Sequence, residues 1–106
     1  MGTEDGARDG GTLDEALRRA MAWRRRTFPG STLASTMVHL RREVEERAAD
    51  TGDAHEIADA MLLLAALADM QGIDLARAVA EKLAINEARR WGPPGAAGVI
   101  EHERGA

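Results

Sequence analysis

The stretch 53-DAHEIADAMLLLAALADMQG-72 decides the fold of this chain. Between Ile57 and Leu67 its apolar residues fall on nearly every side of a helix, and a helix of that kind is buried among other elements. Asp53 is a typical N-cap, and Gly72 is a typical C-terminal stop. The stretch therefore predicts a central helix that runs from the Asp53 cap through to Gln71.

Two further helices are predicted upstream. Thr12-x-x-Glu15 is a capping-box pattern that opens the first helix, which ends before Pro29. Ser31 or Thr32 can cap the second helix, whose apolar residues recur at every third or fourth position. These apolar residues are Leu33, Met37, Leu40 and Val44.

A fourth helix is predicted downstream, from Leu75 to about Arg90, with Asp74 as its cap and a Gly-Pro-rich break after it. No stretch shows the alternation that is typical of a strand. These patterns predict an all-α, four-helix bundle with short loops. We expect a disordered leader at residues 1–11, a helical domain at 12–91 and a C-terminal tail at 92–106.

The composition narrows the function. With 106 residues, two Trp, one Phe and no Tyr, a single domain has a thin core, so we expect further burial through self-association. The net charge of −4 argues against nucleic acid as the main partner. Without cysteine there is neither a disulfide framework nor a thiolate metal site. No signal peptide or membrane-spanning run is visible, which favours a cytoplasmic protein without a membrane partner.

Two acidic pairs carry the chemistry. Glu43-x-x-Glu46 lies in the second predicted helix and Glu56-x-x-Asp59 in the third. Residues three apart share a helix face, so two neighbouring helices can aim four carboxylates at one point. Such oxygen ligands suit Mg²⁺ or Mn²⁺, and a site of this kind commonly holds and cleaves a polyphosphate. A simpler explanation also holds for Glu56, because Asp53-x-x-Glu56 is itself a capping box.

Other polar residues extend this pattern. Lys82, Asn86 and Arg89 follow one line of the fourth helix and suit the charge of a triphosphate, although cations near a helix C-terminus are also favoured by the dipole. Trp23 and Phe28, near the first loop, are candidates for a base pocket. His39 can touch the substrate, orient a metal ligand or be a hydrogen-bonded structural residue.

With these residues the chain resembles the MazG-like all-α nucleotide pyrophosphohydrolases. That superfamily has an E-E-x-x-E segment followed by E-x-x-D, which correspond here to Arg42–Glu46 and Glu56–Asp59, with Arg42 in place of the leading Glu. The line Lys82-x-x-x-Asn86-x-x-Arg89 is similar to the phosphate-contacting segment of the family. From Ala16 to Arg104 the chain is most similar to the dATP/dGTP pyrophosphohydrolase-like branch of phages and bacteria.

The resemblance implies the fold of the all-α NTP pyrophosphatases, assembled as a homodimer or homotetramer. It also implies Mg²⁺-dependent hydrolysis of a nucleoside triphosphate, with dATP and dGTP as substrates, to the monophosphate and pyrophosphate; Mn²⁺ is an alternative metal. The implied metal ligands are Glu43, Glu46, Glu56 and Asp59, and Glu46 would orient the attacking water. The implied phosphate contacts are Lys82, Asn86 and Arg89.

Two alternatives stay open. The chain could be a non-catalytic nucleotide-binding or helical interaction module that kept the fold. It could also be a metal-free dimerisation bundle in which the acids pair only with Arg41, Arg42 and Arg47.

Overall fold

The structure, a computed structural model, describes residues 11–47, 52–95 and 98–102. It contains four helices: α1 (Leu13–Thr27), α2 (Leu33–Arg47), α3 (Ala54–Met70) and α4 (Leu75–Ala88). Over the described ranges there is no strand, only one isolated bridge between Trp91 and His102. The all-α class with four helices is thereby confirmed. The predicted leader lies outside the described residues except for Gly11.

The chain divides into two compact units, one up to Leu75 and one from Ala76 onward. The first unit contains α1, α2 and α3, and the second contains most of α4 and the residues that follow it. None of the described helices is long and apolar enough to cross a membrane.

The helices begin where the sequence places their caps. The Thr12 hydroxyl accepts a hydrogen bond from the Glu15 backbone N–H (3.1 Å) and donates one to the Glu15 carboxylate (3.0 Å). At α2 the cap is Thr32, whose hydroxyl accepts from the Ser35 N–H at 3.0 Å. Each cap supplies an acceptor to an N–H group that has no partner within the first turn of its helix.

α3 is closed at both ends by local signals. The Asp53 carboxylate accepts from the His55 N–H at 2.9 Å. At the other end Gly72 has a φ of +69°, and the N–H groups of Gly72 and Ile73 donate to the carbonyls of Asp69 and Ala68. This bonding pattern is a Schellman motif, which favours glycine at the left-handed position. The regular part of α3 is Ala54–Met70, and Gln71 is its C-cap.

α2 and α3 are antiparallel neighbours, as their short connection predicts. At one end of the pair the Thr36 hydroxyl lies 3.8 Å from the Met70 sulfur. At the other end an Arg47 nitrogen lies 2.9 Å from a Glu56 oxygen. The end of α2 thus meets the start of α3, which is where the two acidic pairs occur.

α1 packs on the second half of α3, and the two helices form a small core. Met21 is buried against Ala65 and Ala66, and the surrounding half-buried residues are Leu17, Ala20 and Leu75. Arg25, near the end of α1, donates a hydrogen bond to Asp69 near the end of α3. Most of the buried α3 side chains are alanines, so the helices meet over small side chains and the core of this unit is thin.

The buried face of α2 differs from the predicted apolar line. Leu33, Met37 and Val44 are exposed by 44%, 52% and 55%. The side toward α3 instead carries four residues spaced at i, i+4, i+7 and i+11, and all are buried or half-buried. They are Thr36, Leu40, Glu43 and Arg47. Of the apolar line of α2, only Leu40 is half-buried, and the contact with α3 is partly polar.

α3 also presents apolar side chains to solvent. Ile57, Met61 and Leu64 lie at i, i+4 and i+7 and are exposed by 58%, 39% and 47%. We call these three residues the α3 stripe. The prediction that α3 is buried on nearly every side holds for Leu63, Ala65, Ala66 and Ala68, but not for the stripe within this single chain.

The second unit ends in a closed loop. After α4, the Gly92 N–H donates to the Glu101 carbonyl at 2.9 Å, and the Trp91 and His102 rings meet edge to face at 5.9 Å. The Trp91 indole N–H donates to the Asn86 carbonyl at 2.9 Å. The predicted tail at 92–106 is therefore folded back on Trp91 in its described part.

Candidate metal centre

Three of the four predicted metal ligands come together at the junction of α2 and α3. Glu43, Glu46 and Glu56 each offer a carboxylate oxygen, and these oxygens all lie within 4.8 Å of one another. We call these three residues the acid cluster. Glu43 and Glu46 are one turn apart at the end of α2, and Glu56 lies in the first turn of α3. The antiparallel packing of the two helices therefore creates the cluster.

Asp59, the fourth predicted ligand, is not one of the three clustered groups. It lies one turn beyond Glu56 on α3 and is exposed. Its charge nevertheless acts on Glu56, where it contributes to the pKa of that group. Asp59 thus borders the acid cluster, and its role as a ligand remains a prediction.

Arg47 is the cation that lies against the cluster. Its side chain is only 16% exposed, and one of its terminal nitrogens lies 2.9 Å from Glu56 Oε2. Arg47 follows Glu43 by one helical turn, so both side chains occupy the inward side of α2. The three carboxylates and Arg47 leave a formal excess of negative charge at this junction.

The environment of Glu56 raises its pKa above the ordinary value. Desolvation beside α2 is the largest cause and raises the pKa of Glu56, although one-third of this side chain is exposed. Arg47 lowers that pKa, while the negative charges of Glu43, Asp53 and Asp59 raise it. The net rise means that Arg47 only partly compensates the repulsion and desolvation at this carboxylate.

The burial of one Glu43 oxygen bears on whether the acid cluster suits a metal. The Glu43 side chain is 15% exposed, and its Oε2 accepts no hydrogen bond within the described part of the chain. A buried acceptor without a partner costs free energy unless a cation or another donor satisfies it. The donor set consists of carboxylate oxygens, which Mg²⁺ and Mn²⁺ prefer. The residues therefore fit a divalent cation.

Neighbouring side chains separate the inward acids from the outward ones. His39 Nε2 lies 3.5 Å from Glu43 Oε1, with His39 itself largely exposed. Glu45, by contrast, is exposed and pairs with Arg41 one turn before it. Glu45 therefore points away from the acid cluster. Glu56 does not complete the capping box, because its carboxylate meets Arg47 and Asp53 caps the helix alone.

The predicted base-pocket residues lie in two places. Trp23 and Phe28 pack edge to face with ring centres 5.3 Å apart, at the end of α1. A groove of about 250 Å³ adjoins Phe28 and is also lined by Arg24, Arg25 and Asp69. Asp69 and Glu56 are far apart along α3, about 20 Å at 1.5 Å per residue. The aromatic pair and the acid cluster are thus at opposite ends of the same helix, whereas His39 lies beside the cluster.

The predicted phosphate contacts belong to the second unit. Lys82 is exposed, and Asn86 and Arg89 are half-buried. α4 ends at Ala88, so Arg89 lies just past the helix and its N–H donates to the Asn86 carbonyl at 3.3 Å. Lys82 and Asn86 share a face of α4 because they are one turn apart.

Sequence reasoning gave two sets of residues less weight than the structure does. The sequence pattern predicts Arg47 only as a pairing partner in the metal-free alternative, although its position one turn after Glu43 places it on the same face. The groove residues Arg24, Arg25 and Asp69 carry no local signal, because Arg25 and Asp69 meet only through the packing of α1 on α3.

The family model and the two relatives with similar sequences carry matching descriptions. The family model described as dATP/dGTP pyrophosphohydrolase matches residues 16–104. A dATP/dGTP diphosphohydrolase of Salmonella phage PMBT28 is 42% identical over 84 residues, which are 76% of this chain and 28% of that protein. A dATP/dGTP diphosphohydrolase of Cyanophage S-2L is 34% identical over 82 residues, which are 76% of this chain and 78% of that protein. The chain thus spans little more than a quarter of the first relative and most of the second.

A solved structure is similar over nearly the whole chain. It is the Cyanophage S-2L MazG-like pyrophosphohydrolase, bound to dGDP and three catalytic Mn²⁺ ions per active site. The similarity has a TM-score of 0.79 at 33% identity and covers 90% of this chain and 95% of that one. The fold predicted from the resemblance to MazG-like proteins is thereby confirmed.

Proposed function

Since the chain belongs to the dATP/dGTP pyrophosphohydrolase family, we propose that it hydrolyses dATP and dGTP to the monophosphate and pyrophosphate with a divalent cation. The observation that carries this proposal is the acid cluster, in which carboxylate oxygens from two helices lie within 4.8 Å of one another. The relatives named for this activity support the substrate class.

Each side chain has a proposed part. Glu43, Glu46 and Glu56 would hold the metal, with Asp59 at the border of the site. The metal, when bound, offsets phosphate charge and lowers the pKa of water. Glu46 is exposed and can turn an oxygen toward a water molecule, while His39 fixes the orientation of Glu43. Lys82, Asn86 and Arg89 are proposed to bind the phosphates on the basis of their likeness to the family segment.

Mg²⁺ is proposed as the working metal, with Mn²⁺ able to replace it. The Mn²⁺ ions of the Cyanophage S-2L structure support this choice, because the two ions accept similar oxygen ligands. The cytoplasmic location stays a prediction.

A substitution series tests the proposal. Glu43→Gln or Asp59→Asn should abolish Mg²⁺-dependent release of pyrophosphate, since each removes a charge that the metal needs, while circular dichroism stays unchanged. Glu45→Gln is the matched control, because this acid lies on the same helix, is exposed and pairs with Arg41. Screening the common nucleoside triphosphates with Mg²⁺ and with Mn²⁺ establishes base and sugar preference. Full pyrophosphate release by either variant would contradict the site.

The ion pair between Arg47 and Glu56 specifically favours the metal-free bundle as the competing function. In that case Arg47 neutralises the acids permanently, and the melting temperature does not respond to Mg²⁺. A metal site requires the opposite result, a rise in melting temperature with Mg²⁺ that Glu43→Gln removes.

Self-association is proposed on the α3 stripe. Three exposed apolar side chains on one helix face are typical of a surface that a partner covers. Leu64→Glu places a charge in the stripe and should shift the chain toward monomers, as measured by light scattering after size exclusion. Leu13→Glu is the control, because Leu13 is an exposed leucine on α1, outside the stripe. An unchanged molar mass for Leu64→Glu would exclude the stripe as the interface.

A further inference from the structure

We infer that Arg47 is a resident counter-ion of the acid cluster, which competes with a divalent cation for the Glu56 carboxylate and leaves it when the cation binds. The inference concerns the regulation of the proposed metal site and therefore rests on the proposed function.

The repulsion among the three carboxylates explains why a cation, Arg47, lies beside them. Three carboxylates that offer oxygens within 4.8 Å of one another repel each other, and the repulsion grows where water is excluded. Arg47 lies on the same inward side of α2 as Glu43 and reaches across to Glu56 on α3. A single positive charge at this junction holds the ends of the two helices together against that repulsion.

The geometry of the contact between Arg47 and Glu56 shows that the junction does not hold the guanidinium by well-aligned hydrogen bonds. Arg47 Nη1 is 2.9 Å from Glu56 Oε2 but is not aligned as a hydrogen-bond donor, and Nε is likewise buried without an acceptor in the described part of the chain. Permanent arginine–carboxylate pairs typically use two parallel hydrogen bonds. Arg47 is therefore held by charge, and an ion with two charges and a preference for oxygen can replace it.

Arg47 can leave Glu56 by rotation of its long side chain. Within the described part of the chain, its ion pair is the one with Glu56. Metal binding would then free the Glu56 oxygen for the cation.

Removal of Arg47 should have opposite effects on metal binding and on stability. Mn²⁺ titration followed by electron paramagnetic resonance, or by calorimetry, compares the natural chain with Arg47→Met and Arg47→Lys. Arg47→Met should bind Mn²⁺ about tenfold more tightly, because one competing charge beside a carboxylate is gone. In chelator the same variant should melt at a lower temperature than the natural chain. Arg47→Lys, which keeps the charge on a shorter reach, should fall between them.

Arg41→Met is the matched control, since Arg41 lies on the same helix, is exposed and pairs with Glu45 outside the cluster. It should change neither Mn²⁺ affinity nor the melting temperature in chelator. Equal or weaker Mn²⁺ binding by Arg47→Met would overturn the inference and leave the proposed function standing. If neither the natural chain nor the variants bind Mn²⁺, the proposed function fails, and the inference fails with it.

A measurement on the natural chain guards against a variant that does not fold. In nuclear magnetic resonance, the Arg47 Nε–H signal should shift as Mg²⁺ is added, because the guanidinium leaves Glu56, while the Arg41 signal should stay in place. An Arg47 signal that stays unchanged while the Glu43 and Glu56 signals respond to Mg²⁺ would overturn the displacement.

Discussion

At the scale of single residues, Glu43 and Arg47 occupy positions on α2 that apolar side chains usually fill. Both face α3 and are mostly buried, while Met37 and Val44 on the same helix are exposed. Burying charge costs free energy unless opposite charge or a metal compensates it. The proposed binding of a metal ion explains this arrangement better than a contribution to stability does.

The raised pKa of Glu56 makes the stability of the folded chain depend on pH. Its pKa in the folded chain is raised above the ordinary value of 4.5, so the folded chain holds this proton more tightly than the unfolded chain. The stabilisation from this group is complete below pH 4.5 and is lost as pH rises through the folded pKa.

We predict that Glu56→Gln removes this loss. In chelator, the urea midpoint of the variant relative to the natural chain should increase as pH is raised from 4.5 toward neutrality. Glu45→Gln provides the comparison for removing an exposed acid from the same region. A difference curve for Glu56→Gln that falls with pH would mean that Arg47 dominates the environment of Glu56.

At the scale of the elements, α3 determines how closely the helices approach. Ala65 and Ala66 are almost completely buried against Met21, so α1 and α3 pack through small side chains. Well-packed contacts of this kind tolerate little added volume. The contact between α1 and α3 is therefore made by alanines on α3 rather than by large apolar groups.

Ala66→Leu should accordingly destabilise the first unit. Inserting methylenes into a packed core costs about 1–3 kcal/mol, and Ala66 is only 2% exposed. Urea unfolding measures the loss. Ala58→Leu, at an exposed position on the same helix, adds the same volume without overpacking and should be nearly neutral. Equal stability of the two variants would show that the Ala66 site can expand.

Local signals made the helices predictable, while their faces were harder to predict. Thr12, Asp53 and Gly72 act through hydrogen bonds or backbone angles within a few residues, so the sequence was sufficient to place them. The pairing of α2 with α3 followed from a short loop, and with it the approach of Glu43 to Glu56. The inward side of α2 depends on which side chains α3 offers, so the apolar spacing of α2 alone does not identify it.

At the scale of the whole molecule, the distance between the aromatic pair and the acid cluster bears on the base pocket. Trp23 and Phe28 lie at one end of α3 and Glu56 at the other, about 20 Å away by helix rise. A base pocket formed by this aromatic pair would therefore have to serve a nucleotide held by the carboxylates of a second copy. This arrangement joins the proposed base pocket to the proposed self-association.

Mixing two defective variants tests whether sites are shared. Phe28→Ala should lose affinity for the base, and Glu43→Gln should lose turnover, but an exchanged mixture should regain pyrophosphate release because one kind of shared site is intact. Phe28 is 44% exposed, so its removal should leave the fold unchanged. A mixture of two Glu43→Gln preparations is the control. No regain after subunit exchange would place all parts of the site in one chain.

The two tryptophans have a practical consequence for following how this chain unfolds. Trp23 lies in the first unit and Trp91 in the second, and there is no tyrosine to obscure their emission. Replacing either tryptophan by phenylalanine leaves a single tryptophan, whose emission wavelength and quenching report on one unit alone. Denaturation curves from the two single-tryptophan proteins would coincide if the units melt together and would separate if they melt in sequence.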